Sequence, residues 1–294
     1  MFRFFLLLSI CLPSAADPVK ITTIRDGDLD ECSGIAASYL NTGCLWMHND
    51  SGDKPDFFLV SLEDGRTRAV VRLKGAKNYD WEDMCSFIID GKPWLMVGDV
   101  GDNARRRGKG KADPCRLYLL KEPEIKRSDD EEKLEHPVHA KIEFSYEDGR
   151  FDCEGVAVDP ERREILLLTK SLSGQCGLYS IPLDLNSGRQ SKTARRIASP
   201  FIPLVTALDV SPDSRLLFVG TMFNGILVPR SGNESWADAF KRAGTMIAMP
   251  PRRQGESACF DRRRNWIYVN SEFKEQPLWR VNIPVAKAPV ENKP

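Results

Sequence analysis

Apolar residues in this chain come in runs of three to six positions rather than in long stretches, and polar turn-forming clusters separate them. The first group of runs covers 34–39, 44–47, 57–61 and 68–73. Between them lie Asn41-Thr42-Gly43, Asn49-Asp50-Ser51-Gly52-Asp53 and Glu63-Asp64-Gly65, residues that favour tight turns. The same grouping returns at 84–89, 94–97, 116–120 and 141–145, and again at 156–158, 164–169, 177–181 and 194–198. A fourth group has 208–210, 216–221 and 225–228, then a helix-like segment at 235–243. The fifth has only 258–260, 266–269 and 278–281, while a spare strand-like run at 19–24 has no hairpin companion. Pairing that run with the fifth group would remove an exposed sheet edge. Residues 105–137 interrupt the second group, are rich in charge, and read as an exposed loop.

Each group opens on a related phrase. Asp80-Trp81-Glu82-Asp83, Asp152-Cys153-Glu154-Gly155 and Gln254-Gly255-Glu256-Ser257 place a glutamate third, before small or apolar residues. Degenerate copies at Glu31-Cys32-Ser33-Gly34 and Leu204-Val205-Thr206-Ala207 complete the set. The anchors Ser33, Glu82, Glu154, Thr206 and Glu256 are spaced by 49, 72, 52 and 50 residues. Short strands repeating at this period predict an all-β fold, a single β-propeller of five four-stranded blades closed by the N-terminal strand. Six blades result if the 72-residue interval hides a degenerate one.

Composition adds the setting. The chain has 294 residues, 41% hydrophobic and 29% charged, enough for a large core. Residues 1–16 read as a signal peptide: Arg3, an apolar stretch to Leu12, then the small residues Ser14-Ala15-Ala16. Cys11 does not fit a lipoprotein anchor, because the apolar run before it is too short. The expected organisation is leader 1–16, propeller 17–286 and polar tail 287–294, in a monomer that is secreted or periplasmic and has no membrane span. Lys and Arg balance Asp and Glu at 42 each, so no basic footprint for nucleic acid is present. Seven cysteines remain after the leader, several at equivalent places in the repeats. That placement reads as small buried residues, with disulfides the alternative that export permits.

In a propeller the first strand of each blade lines the channel, so the anchors form a ring at one height. Glu82, Glu154 and Glu256 would then converge and repel one another unless a cation neutralises them or some keep protons. All-oxygen donors suit Ca²⁺, with Mg²⁺ the alternative. Three histidines are too few for a histidine-built zinc centre. The plainer reading is a water-filled polar channel mouth. Asp50 and Asp99, in loops after the second strands of the first two groups, are candidate additional ligands, and His48 and Asp83 are candidate proton carriers. Arg106, Arg107 and Lys170 are candidates for holding an anionic small molecule. No nucleophile-elbow, P-loop or dinucleotide-binding glycine pattern occurs.

Taken together, Trp46 to Gly52, the Asp80–Asp83 phrase, Gly98 to Asn103 followed by arginines, Glu122-Pro123, Asp152 to Gly155, Thr169-Lys170 and Gln254 to Glu256 resemble a family of exported bacterial β-propeller proteins, over nearly the whole mature chain. That family is distantly similar to calcium-dependent propeller lactonases, arylesterases and phytases, whose metal sits in the central channel. The resemblance implies Glu82, Glu154 and Glu256 as ligands, and this chain departs from it with Ser33 and Thr206 at two anchors and no histidine pair. Two functions follow as expectations. One is a Ca²⁺-dependent hydrolase of small esters, lactones or phosphoesters; the other is a non-catalytic propeller that binds an extracellular protein or glycan.

Overall fold

The computed structural model describes residues 17–284 apart from 111 and 127–129. The expected leader and the polar tail from 287 lie outside the described residues. After β1 (Val19–Thr23), the first four-stranded antiparallel unit is β2 (Cys32–Ala37), β3 (Cys44–Asn49), β4 (Asp56–Ser61) and β5 (Thr67–Lys74). The second is β6 (Trp81–Ile89), β7 (Lys92–Asp99) and β8 (Cys115–Lys121), completed by β10 (Ala140–Tyr146), after β9 (Glu132–Pro137) has run elsewhere. The third is β11 (Cys153–Asp159), β12 (Glu164–Thr169), β13 (Leu178–Pro182) and β14 (Gly188–Ala198). The fourth is β15 (Val205–Val210), β16 (Leu216–Thr221) and β17 (Gly225–Pro229), then the single turn α1 (Trp236–Ala239), then β18 (Thr245–Ile247). The last is β19 (Ala258–Phe260), β20 (Trp266–Val269) and β21 (Pro277–Asn282), to which β1 adds as the fourth strand.

The fold is all-β and consistent with a β-propeller. Opening strands pack on one another in sequence, β2 on β6, β6 on β11, β11 on β15 and β15 on β19, and β19 packs back on β2. Five hydrophobic clusters fill the spaces between neighbouring units. Trp46, Phe57, Trp81 and Tyr118 lie between the first and second. Phe87, Leu117, Val156 and Tyr179 lie between the second and third. The remaining three continue the circuit through Leu168 and Leu208, Phe218 and Phe260, and Cys259 and Leu45. Opening strands are covered on both faces, so β2, β11, β15 and β19 are buried at every position, whereas the outer β10 alternates buried with half-exposed or exposed.

Two local expectations change. The charged insertion is not simply an exposed loop, because β9 within it pairs in parallel with β5 from Ala69↔Glu132 to Lys74↔Pro137 and caps the edge of the first unit. The helix-like segment shortens to four residues capped by Ser235, whose Oγ accepts from the Asp238 N–H at 3.1 Å. Among the described residues no helix is long and apolar enough to cross a membrane.

A candidate metal centre in the ring of opening strands

Four of the five anchors sit where strand pairing slips. Pairing skips between Cys32 and Gly34, Trp81 and Met84, Cys153 and Gly155, and Val205 and Ala207, which leaves Ser33, Glu82, Glu154 and Thr206 in bulges. The same backbone bond closes all five units. The N–H groups of Asp50, Val100, Lys170, Met222 and Glu272 donate to the carbonyls of Glu31, Asp80, Asp152, Leu204 and Gln254, at 2.9 to 3.1 Å. Those carbonyl residues stand two before each anchor, so the repeat has three equivalent tiers: two before the anchor, the anchor itself, and the residue whose N–H closes the unit. That residue directly follows the second strand in the first four units and is Glu272, three beyond β20, in the fifth. A bulge twists the strand and re-aims the inserted side chain. Here that geometry gathers carboxylates.

Two groups result. Carboxylate oxygens of Asp50, Asp80 and Glu82 lie within 4.8 Å of one another, and so do those of Glu82, Asp152 and Glu154. Glu82 belongs to both. Gly101 makes room for them, since a Cβ there would lie 2.1 Å from Glu82 Oε1 and 2.5 Å from Asp80 Oδ2. Backbone and side-chain contacts hold the surroundings in place: Asn78 Nδ2 donates to the Asp50 carbonyl at 2.6 Å, and the Asp102 N–H donates to Asp152 Oδ1 at 2.8 Å. Ser33 Oγ donates to the Glu82 carbonyl and Thr206 Oγ1 to the Gly255 carbonyl, so the two hydroxyl anchors tie neighbouring opening strands together.

The electrostatics are those of crowded acids. Burial, then Glu154, Asp50, Asp80 and Asp152, pushes the Glu82 carboxyl well above its usual range. Burial lifts Glu154 to about 8 although Lys170 Nζ donates to its Oε1 at 2.9 Å. Asp50 and Asp80 each rise to about 6, chiefly through burial, and Glu272 rises to about 7 through burial and the nearby Glu256 and Glu31. Burial also raises Glu256. Hard oxygen donors held this close, with their charge unfavourable alone, fit a divalent cation of the calcium type.

Several candidate residues lie elsewhere. Glu256 stays outside both carboxylate groups, within electrostatic reach of Lys170, Asp50 and Arg252. Asp99 opposes Trp81 as Asn49 opposes Cys32, so it corresponds to Asn49 and not to Asp50. That one-residue step turns it to the other face of the strand. It is fully buried, 2.8 Å from Arg107 Nη1 and 3.8 Å from Arg116 Nη1, and its Oδ1 accepts the Asp80 N–H at 3.0 Å. Arg107 is therefore spent inside the protein, where it also donates to the carbonyls of Gly101 and Pro114, and Arg106 is exposed. Lys170 faces Glu154. His48 is wholly buried against Phe57 and Trp81, with Nδ1 2.9 Å from the Asn49 carbonyl and burial pushing it down to about 4. Its Nε2 lies over Gly34, where a Cβ would come within 2.1 Å, so the ring faces the core rather than the acids. Asp83 is also wholly buried. Its carboxylate accepts the N–H groups of Met84, Val156 and Leu208 at 2.8, 3.0 and 2.9 Å, which joins three opening strands. Asp209 repeats the device toward Phe260 at 2.8 Å. Sequence reasoning missed Asp80, Asp152 and Gly101, although both aspartates open the glutamate phrases.

A cleft of about 680 Å³ opens to one side, lined by Glu31, Asn49, Ser51, Asp53, Arg72 and Lys274 among others, and none of the five clustered carboxylates lines it. No protein-family model matches the chain, and no curated protein sequence does. In three dimensions the chain is similar to a crystal structure of a glucose dehydrogenase, with a TM-score of 0.50 at 11% identity over 92% of this chain and 100% of that one. A gluconolactonase from Xanthomonas campestris gives a TM-score of 0.48 at 11% identity, over 93% and 99% of the two chains. At this identity the first likeness concerns the fold alone.

Proposed function

We propose that this chain is an exported five-bladed β-propeller that holds Ca²⁺ in its channel and hydrolyses small esters, lactones or phosphoesters bearing negative charge. The observation that carries the reading is the pair of carboxylate groups sharing Glu82. Five four-stranded units whose opening strands pack in a circuit support the blade number, with β1 joining the last unit. Asp50, Asp80, Glu82, Asp152 and Glu154 would hold the ion. When bound, calcium would polarise the carbonyl or phosphoryl oxygen of the substrate. The chain supplies the rest. Lys170 balances the charge on Glu154 and fixes its carboxylate. Glu272, at the tier that closes the fifth unit, has a proton affinity matched to neutral pH and replaces His48 as the group that moves a proton.

A second reading has one observation in its favour. Leu172, Phe201 and Phe223 are 86%, 73% and 68% exposed, in loops at the same end of the strands as the anchors. Such residues suit a non-catalytic propeller that docks an extracellular protein or glycan.

Thermal melting during a calcium titration decides between them. Wild type should gain stability with saturating Ca²⁺ and Glu82→Gln should lose most of that gain. Identical melts with and without calcium would remove the cation and with it most of the case for an enzyme. If calcium stabilises, turnover of a panel of esters, lactones and phosphoesters separates the hydrolase from the binding protein.

A further inference from the structure

The three tiers around the channel are unevenly charged. Acids occupy them in the first, second, third and fifth units, whereas the fourth contributes Leu204, Thr206 and Met222. One cation fills that gap. Arg252 Nη2 donates to the carbonyl of Thr221, the last residue of β16, at 3.3 Å. Its guanidinium lies flat over Gly255, the residue before the Glu256 anchor, where a Cβ would come within 2.4 Å of Cζ and 2.6 Å of both Nη atoms. Glycine at 255 is therefore what lets the fork occupy this place.

The other deeply placed arginines are paired. Arg107 meets Asp99, Arg116 meets Asp113, and Arg230 meets Asp159 and Glu161. Arg252 is different. Among the described residues no carboxylate lies within 4.0 Å of it, its Nε is buried with no partner, and a single long bond to a carbonyl is all that its fork receives. Glu256 is within electrostatic reach but does not close an ion pair. Lys170, the cation on the third unit's tier, is already engaged by Glu154. A half-buried guanidinium left without a counter-ion is costly to a protein, and its planar fork matches a carboxylate or phosphate through two parallel bonds. Burial lowers its proton affinity to about 10, the direction expected where no anion compensates.

We infer that Arg252 is the anion-recognition residue of this site, and that the substrate presents a carboxylate or phosphate to it across the channel mouth from the clustered acids. This inference rests on the proposed function for the word substrate, but the anion site itself does not. It also assigns to Arg252 the role that Arg106 and Arg107 were expected to fill.

Isothermal titration of the full exported chain with methyl phosphate and with acetate, in EDTA and again in saturating calcium, tests the assignment. Wild type should bind at least one of the two anions saturably, and the preferred one identifies phosphate or carboxylate as the recognised group. Arg252→Gln should weaken that binding at least tenfold. Arg252→Lys, which keeps the charge and loses the fork, should fall between them. Calcium affinity should be unchanged or a few-fold tighter in Arg252→Gln, because a positive charge near Glu256 has gone. If Arg252→Gln does not fold, a weakened anion affinity in Arg252→Lys carries the test. Anion affinities in the variants equal to that of wild type, or no saturable binding of either anion to wild type, would overturn the assignment. Calcium that fails to stabilise wild type, together with anion binding in EDTA that still depends on Arg252, would sink the cation reading and leave this one standing.

Discussion

Without calcium, the protein should lose stability as pH rises from 5.5 to 8.5, the reverse of ordinary acid denaturation. Glu154 shows why. It is 3% exposed, and burial lifts its carboxyl from 4.5 to about 8. Between those values the folded protein keeps a proton that the unfolded chain has released. Stability falls with rising pH wherever the folded state binds more protons, so the loss starts above the ordinary carboxylate range and is complete only above about 8. Each tenfold change in proton affinity is about 1.4 kcal/mol, which caps the Glu154 contribution at roughly 5 kcal/mol. Relaxation and entering water reduce such figures, and an effect of about 2 kcal/mol is expected, or roughly 4–8 °C in melting temperature for a chain of this size. Asp50 and Asp80 shift in the same direction but are partly exposed and are left out of the sum. Calcium competes with these protons. Its stabilisation, about 2.7 kcal/mol at a hundredfold excess over Kd, should be nearly full at pH 8.5 and much reduced at pH 5.5. Scanning calorimetry at constant ionic strength, with EDTA or with calcium, reads both slopes. A melting temperature in EDTA that climbs between pH 5.5 and 8.5, or a calcium increment that is the same at both ends, would refute the reasoning.

Two substitutions test the parts separately. Asp83→Ala removes an acceptor shared by three backbone N–H groups and should cost about 3–5 kcal/mol, since each buried N–H left without a partner costs roughly 1–3 kcal/mol and the three partly overlap; a variant that melts like wild type yet has lost turnover would instead put Asp83 in the chemistry. Gly101→Ala drives a methyl into the Glu82 and Asp80 carboxylates and should weaken calcium at least tenfold while global stability falls by about 1–2 kcal/mol, within the usual span for a single substitution; an unchanged calcium affinity by titration would show that those carboxylates do not hold the ion.

The glutamate phrase was legible because it encodes backbone geometry. In three units a bulged anchor brings the next residue close to a neighbouring chain segment, and that residue is small: Gly34, Gly155 and Ala207; in the second unit it is Asp83, whose carboxyl instead bonds the neighbouring strands. At Gly155 a Cβ would come within 2.7 Å of the Leu208 Cβ. Steric need of that kind recurs in most of the repeats and so leaves a periodic trace. Which acids join the anchors leaves none. Asn49-Asp50 and Gly98-Asp99 look alike as loop sequences, yet Asp50 follows the strand pairing and Asp99 is still within it, and one residue decides which face each side chain takes. His48 looked available beside an acidic loop, but Gly34 opposite leaves a hole that the imidazole fills.

What separates structural from functional acids here is the supply of donors. Asp99 Oδ1 receives Arg107 and a backbone N–H with Arg116 3.8 Å from its Oδ2, Asp83 receives three N–H groups, and Asp159 the Trp236 indole and Arg230. Each of these buried carboxyls is met by donors or cations that the fold brings to it, as burial demands. Glu82 and Asp80 are treated otherwise: among the described residues no side chain or backbone group donates to either carboxylate, and both lie within 4.8 Å of other acids. That contrast, at the point where the opening strands converge, supports the proposed reading that an added cation would neutralise these two carboxylates. Arg252 is the converse case, a guanidinium without a carboxylate partner among the described residues at the same end of the strands, and on the two proposals together the ligand would carry both a cation-bound oxygen and a negative group.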